Sequence, residues 1–264
     1  MLLGVPKEIK VHEYRVGMTP ASVREVTGRG HEVVVETGAG IGIGASDDDY
    51  RDIGASVADS AEDVFAQADM IVKVKEPQSG ERALLRPGQI LFTYLHLAPD
   101  PEQTKDLVES GAICIAYETV TDARGGLPLL APMSQVAGRM SIQAGAHCLE
   151  KEQGGAGVLL AGVPGVAPAK VVIIGGGVVG ENAAYMAVGM GADVTVIERN
   201  VDTMRSLVAR FGGSIKTLYS TALAIEEEVL KADLVIGGVL VPGAKAPKLV
   251  TRNLVARMRP GSVL

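Results

Sequence analysis

The run Lys170-Val171-Val172-Ile173-Ile174-Gly175-Gly176-Gly177-Val178-Val179-Gly180 constrains this chain more than any other stretch. Four consecutive β-branched residues predict a strand buried on both faces. The strand passes directly into G-x-G-x-x-G, with Gly175, Gly177 and Gly180 at its three glycine positions. In a chain with 33 glycines that pattern alone carries little weight, but its surroundings fit. Glu181-Asn182-Ala183-Ala184 continue as a helix, and Asp193 to Ile197 is predicted as the next strand, ending at the acidic Glu198. This order is the βαβ fingerprint of a dinucleotide site. Gly175 permits the tight turn, Gly177 lets a pyrophosphate approach the backbone, and Gly180 lets the helix lie close on the sheet. The unpaired N–H groups at the helix start attract phosphate. Glu198, 23 positions after Gly175, can accept hydrogen bonds from the adenosine ribose. Its charge opposes a 2′-phosphate and favours NAD over NADP, while Arg199 beside it softens that choice. A glycine-rich turn without a ligand leaves strand, helix and acid unexplained.

Short apolar runs alternate with amphipathic segments along the whole chain, which predicts an α/β protein built from two doubly wound parallel sheets. Strands are expected at Leu2–Pro6, His31–Glu36, Met70–Lys75, Gln89–Leu95, Ala112–Glu118, Lys170–Ile174, Asp193–Ile197 and Asp233–Leu240. Thr19-Pro20, Ser60 and Asp100-Pro101 are helix-start signals. Val201–Phe211 and Thr221–Lys231 follow as helices. Residues 122–132, rich in Gly and Pro, form a connector, and Ser134–Glu150 is expected as one long helix. We therefore expect a first, substrate domain over 1–129 and a Rossmann domain over 130–264. Pro260-Gly261-Ser262 leads into a strand that has only begun at Leu264, so the sequence is expected to be part of a longer chain.

The net charge of −6 and a pI near 5.3 speak against a nucleic-acid partner, whose site would be basic. No apolar stretch reaches the roughly 18 residues of a membrane span. Lys7, Glu8 and Lys10 follow a short apolar start, which is unlike a signal peptide. A soluble cytoplasmic chain is expected, with Cys114 and Cys148 as two buried free thiols. The four histidines show no metal-ligand spacing, and no metal is expected.

Ligands of open parallel sheets bind beyond the carboxyl ends of the strands. In the first half, Lys73 and Lys75 close one predicted strand, His96 the next and Glu118 the third; Arg15 lies in the loop after the first. Arg15 and Lys75 suit an α-carboxylate and its neighbouring carbonyl. His96 suits proton transfer at a 2-amino or 2-keto group. Each has a plainer role open to it: Arg15 as a solvated loop residue, Lys73 as a snorkelling strand end, His96 as a cap, Glu118 as the partner of a base.

The sequence resembles the alanine dehydrogenase family. The residues that carry the likeness are Gly4-Val5-Pro6-Lys7-Glu8 with Arg15, Val72-Lys73-Val74-Lys75-Glu76-Pro77, and Ile90-Leu91-Phe92-Thr93-Tyr94-Leu95-His96-Leu97. Ala116-Tyr117-Glu118-Thr119-Val120, Pro128 to Ser134, Gly162 to Val166 and Gly238 to Lys248 continue it. The resemblance implies reversible oxidative deamination of L-alanine to pyruvate and ammonium with NAD, in a hexamer. It implies that Arg15 and Lys75 hold the substrate, that His96 is the acid/base, and that Tyr94, Leu130 and Met133 wall a methyl-sized pocket. It places Ser134, Val178, Val179, Glu198, Ser220, Val239 and Leu240 at the cofactor. Thr203 stands near where the family commonly has a basic residue. The family's aspartate beyond the strand starting at Ser262 and its C-terminal segment, which returns to the first domain, lie past Leu264. The related alternative is the NAD-binding component of a proton-translocating transhydrogenase; a non-enzymatic one is a cofactor-sensing regulatory module.

Overall fold

The computed structural model describes residues 1–240 and 247–264. Residues 241–246, part of the stretch Gly238 to Lys248 that carries the resemblance, lie outside them. The described chain divides into two compact units, 1–130 and 131–264, each with its own parallel sheet.

In the first unit the chain runs β1 (Leu2–Val5), α1 (Pro20–Thr27), β2 (Glu32–Glu36), α2 (Asp47–Arg51), β3 (Ser56–Ala58), α3 (Ala61–Gln67) and β4 (Met70–Val72). It continues through α4 (Ser79–Arg82), β5 (Ile90–Thr93), α5 (Pro101–Ser110) and β6 (Ile113–Ala116). The six strands are parallel, in the order β3-β2-β1-β4-β5-β6, so the chain doubles back beside β1. Alternate residues divide between two cores, as the twofold period of a strand requires. Val33 and Val35 join Val5, Val23, Tyr50 and Val72 on one face, whereas Val34 joins Val64, Phe65, Ile71, Leu91 and Leu107 on the other.

The second unit begins with α6 (Ala131–Cys148) and continues through β7 (Lys170–Ile174), α7 (Val178–Gly189), β8 (Asp193–Glu198), α8 (Val201–Phe211) and β9 (Ile215–Tyr219). Helix α9 (Ala222–Lys231), strand β10 (Leu234–Gly237) and helix α10 (Arg252–Arg257) follow. Among the described residues its sheet has the order β10-β7-β8-β9, all parallel. Val171 and Ile173 pack with Ile142, Ala183, Ala187 and Val196 on one face; Val172 and Ile174 pack with Ile225, Val229 and Leu254 on the other. Small residues let α6 lie against α7, since a Cβ on Gly138 would come 2.2 Å from the Val179 carbonyl oxygen. Val263 pairs in parallel with Leu234, which extends the sheet past β10.

The expected helix starts are capped as their residues dictate. Thr19, Ser60, Asp100 and Asn200 each accept an N–H from the first turn of the helix they precede. Each such cap is worth about 1 kcal/mol.

Several expectations need correction. The strands are shorter than the apolar runs, so Lys73 to Lys75 lie beyond the end of β4, and Tyr94 to His96 beyond β5. Helix α6 starts at Ala131, with Pro132 accommodated in its first turn, where no N–H is needed. Elements α2, β3, α4, β9 and α10 lie in stretches where no strand or helix was expected; they are short, and β3 and β9 gain their partners only from β2 and β8. The cysteines are free, but Cys114 is half-buried and Cys148 exposed, because β6 is an edge strand and Cys148 ends its helix. No helix among the described residues is long and apolar enough to cross a membrane.

Candidate active site

The loops after β1, β4 and β5 meet at the carboxyl end of the first sheet. Lys73 does not snorkel: its side chain is fully buried, with Nζ 2.7 Å from Glu81 and 3.3 Å from Glu8. Glu8 also accepts the N–H of Val74 at 2.6 Å, and both its oxygens reach the N–H of Lys75 at 3.4 Å. The loop after β1 is thereby tied to the segment after β4. Burial raises the Glu8 carboxyl above its ordinary value, against the pull of Lys73 and Val74. The Lys75 carbonyl accepts from the Thr93 hydroxyl at 2.9 Å, which ties the same segment to β5.

Arg15 donates from Nε at 2.8 Å and from a terminal nitrogen at 2.5 Å to the two oxygens of Glu13. The pair holds the Glu13 carboxyl below and the Arg15 guanidinium above their ordinary values. Lys75 acts electrostatically on Glu13, and Tyr94 on Arg15, so these groups share one neighbourhood. The Tyr94 hydroxyl donates to the Leu129 carbonyl at 2.5 Å, and its ring meets Tyr117 edge-on at 4.9 Å. Burial raises the Tyr94 phenol above its ordinary value, against the pull of Arg15. Tyr94, Tyr117, Phe92 and Leu129 line an apolar cavity. The expected wall residue Leu130 is half-buried but is not among the lining residues. Met133 and Ser134 are placed on the first turns of α6, in the second unit.

His96 is exposed, with its backbone in the left-handed region at φ 50°. Its N–H donates to Glu118 at 2.7 Å, and the N–H of Leu95 donates to the same oxygen at 3.1 Å. Its Nδ1 stands 3.8 Å from Oε2 of Glu76, whose other oxygen is bound by Lys10. Burial opposes the Glu76 charge, but Lys10 and the residue's own N–H, with a smaller contribution from His96, leave the carboxyl below its ordinary value. Glu8, Glu13, Glu76 and Lys10 were not among the expected site residues. The signal of Glu8, Lys10 and Glu13 lay in the acid-base pairs of the Lys7–Arg15 loop, and that of Glu76 in its place directly after Lys75.

In the second unit the β7–α7 turn has the geometry its glycines predict. Gly175 has φ 99°, and a Cβ there would lie 2.9 Å from the Gly238 carbonyl. A Cβ on Gly180 would lie 1.8 Å from the Gly175 oxygen, so the helix can approach only without one. A Cβ on Gly177 would meet nothing within 4 Å; that open space lies at the N-terminus of α7, beside the amides of Val178 and Val179. Glu198 does more than wait for a ribose. Its Oε2 accepts from Gly176 N at 2.6 Å, and Oε1 from Arg199 N at 2.7 Å and Asn200 N at 2.8 Å. Burial works against its charge, yet these donors prevail and hold the carboxyl below its ordinary value. Gly175, Glu198, Arg199, Ser220, Val239 and Leu240 line one cleft. An open cradle at a helix start, an acid beside it and an adjoining cleft fit a dinucleotide. No group of three or more His, Cys, Asp or Glu suited to a metal occurs among the described residues.

Residues 4–137 match the family model described as alanine dehydrogenase/PNT, N-terminal domain, and residues 141–264 the corresponding C-terminal domain. The alanine dehydrogenase of Halomonas elongata is 60% identical over 264 residues, which is all of this chain and 71% of that protein. That of Bacillus subtilis is 54% identical over the whole chain and 69% of its own length. A solved L-alanine dehydrogenase superimposes with a TM-score of 0.91 at 54% identity, covering all of this chain and 73% of that one. The transhydrogenase from Sinorhizobium meliloti gives 0.82 at 29% identity, covering all of this chain and 77% of that one.

Proposed function

The chain belongs to the alanine dehydrogenase/PNT family, and we propose that it interconverts L-alanine with pyruvate and ammonium, using NAD. The observation that carries this is identity along the whole chain: 60% to an alanine dehydrogenase, against 29% to the transhydrogenase. Residues tied to a small substrate, Arg15, Lys75, Tyr94 and His96, stand at one end of the first sheet, which supports a substrate pocket.

In this proposal Arg15 and Lys75 hold the α-carboxylate and orient the C2 substituent. The apolar wall of Tyr94, Tyr117, Phe92 and Leu129 receives the methyl group. His96 takes a proton from the substrate amine as C2 is oxidised, and returns it as water adds and ammonium leaves. Glu76 stands 3.8 Å away on the Nδ1 side of the ring, and Nε2 is the nitrogen assigned to the substrate. In the second unit Gly175, Gly177 and Gly180, with the amides of Val178 and Val179, receive the pyrophosphate. Glu198 receives the ribose, while Ser134, Ser220, Val239 and Leu240 complete the site. NAD, when bound at these residues, would supply the hydride acceptor that the oxidation of C2 requires. Assembly as a homohexamer and a cytoplasmic location belong to the same proposal, and light scattering of the purified protein measures the first.

The test is formation of NADH, followed by absorbance, on mixing the protein with NAD and L-alanine. Turnover with alanine and none with L-lysine is expected. Hydride exchange between nicotinamide nucleotides without any need for alanine would overturn the proposal in favour of the transhydrogenase reading.

A further inference from the structure

A histidine in the left-handed region carries a conformational cost of order 1 kcal/mol and persists only where its surroundings determine it. The structure shows what determines it. The Leu95 side chain is buried in the first unit's core, which fixes the residue before the bend. The amide N–H groups of Leu95 and His96 both reach Oε1 of Glu118, at 3.1 and 2.7 Å, and the Leu95 N–H also reaches Oε2 at 3.3 Å. On the other side of the same residue, the Leu95 carbonyl accepts from Gln103 Nε2 at 2.5 Å, and Gln103 is 1% exposed. Glu118 comes from the turn after β6 and Gln103 from the first turns of α5, so the bend is gripped from two separate elements.

We infer that Glu118 and Gln103 are positioning residues for the reaction: they hold the Leu95–His96 backbone in the bend that aims the imidazole. This rests on His96 being the acid/base, as proposed above. The grip on the amides needs an acceptor oxygen at a set reach and does not need a charge. Glu118→Gln keeps an acceptor oxygen at the same reach for the bond that both amides share, and gives up only the longer Leu95 contact to Oε2. Glu118→Asp keeps the charge but is one methylene short, and Glu118→Ala loses the acceptor.

The experiment compares these three variants of the whole protein by steady-state kinetics, thermal melting and amide chemical shifts. Amide protons of Leu95 and His96 lie downfield when bonded to the acceptor, and that readout needs neither cofactor nor turnover. E118Q is expected to keep both shifts and most of kcat. E118D and E118A are expected to lose the shifts and about 100-fold in kcat, the size of effect that follows a misplacement of about 1 Å. KM for NAD should stay unchanged. Gln103→Met is expected to lower kcat in the same way while E118Q remains active. The inference is overturned if E118A leaves the His96 amide unmoved, if E118D retains what E118Q loses, or if kcat merely follows the melting temperature across the series. Loss of the clamp signals without loss of turnover would likewise overturn it, whereas turnover retained by His96→Asn would refute the role given to His96 itself.

Discussion

Lys73 and Glu81 form an ion pair at 2.7 Å in which neither side chain is more than 4% exposed, and Glu8 closes the cluster at 3.3 Å from the same ammonium. One cation thus serves two carboxylates beneath the segment that presents Lys75. Removing one partner from such a cluster strands charge in the interior, which costs about 3–5 kcal/mol.

Lys73→Met should therefore lower the stability of the first unit by that order, and the loss should depend on pH. The Glu8 carboxyl is raised in the folded protein, burial being the main cause. A raised carboxyl stabilises the fold while protonated, so that contribution is present at acid pH and is lost as pH rises through the folded value. Without Lys73 the carboxyl rises further. Denaturant melts from mildly acid to neutral pH should show the K73M deficit growing with pH; a deficit that shrinks would contradict the burial account.

The left-handed backbone at position 96 decides which substitution isolates the chemistry. His96→Asn removes the imidazole and tolerates positive φ, whereas alanine adds backbone strain of its own. Turnover of H96N should fall by about 10²–10⁴-fold, the usual worth of a general acid–base group. Binding of NADH, followed by its fluorescence, should stay near that of the parent. Retained turnover would remove His96 from the mechanism.

Two glycines of the dinucleotide turn should fail in different ways. Gly180→Ala places a methyl 1.8 Å from a backbone oxygen and should unfold or distort the turn, with a lower melting temperature. Gly177→Ala points into open space, so its melting temperature should not change while NADH affinity drops. Equal melting temperatures for the two variants would count against the close packing of α7 on the sheet.

Glu198 is held below its ordinary value by three backbone donors, which overcome the opposing effect of burial. A lowered carboxyl contributes stability above the ordinary carboxylate range and loses it as pH falls through the folded value. Glu198→Gln should be less stable than the parent at neutral pH, with the difference closing in acid. The same change removes the charge that repels a 2′-phosphate. The ratio of NADPH to NADH affinity should rise by about tenfold, equivalent to roughly 1.4 kcal/mol. An unchanged ratio would place Arg199, not Glu198, in control of the choice.

Much of the fold was legible because its signals are local. Val33, Val34 and Val35 alternate between two cores, and Thr19, Ser60 and Asp100 cap the helices they introduce. The turn at Gly175 to Gly180 could be anticipated almost atom by atom, since each glycine answers a backbone requirement within its own βα unit. Less of the first site was readable. Lys75 and His96 announce themselves at the ends of apolar runs, but the acids that fix them come from 22 to 67 positions away along the chain. Nothing in the sequence around Lys73 distinguishes a buried triad from a lysine at a solvated strand end, since the difference lies in Glu8 and Glu81. Strand β9 was missed because its alternating residues gain a partner only when β8 lies beside them.

The bend at His96 also bears on descent. In a lineage released from the need for turnover, every side chain at position 96 would still face the same backbone. Glycine and asparagine meet it most cheaply; valine and isoleucine meet it worst. Relaxed selection would therefore leave a directional trace here: the first viable replacements of the imidazole would be the residues of turns, with Glu118 outlasting the histidine it serves.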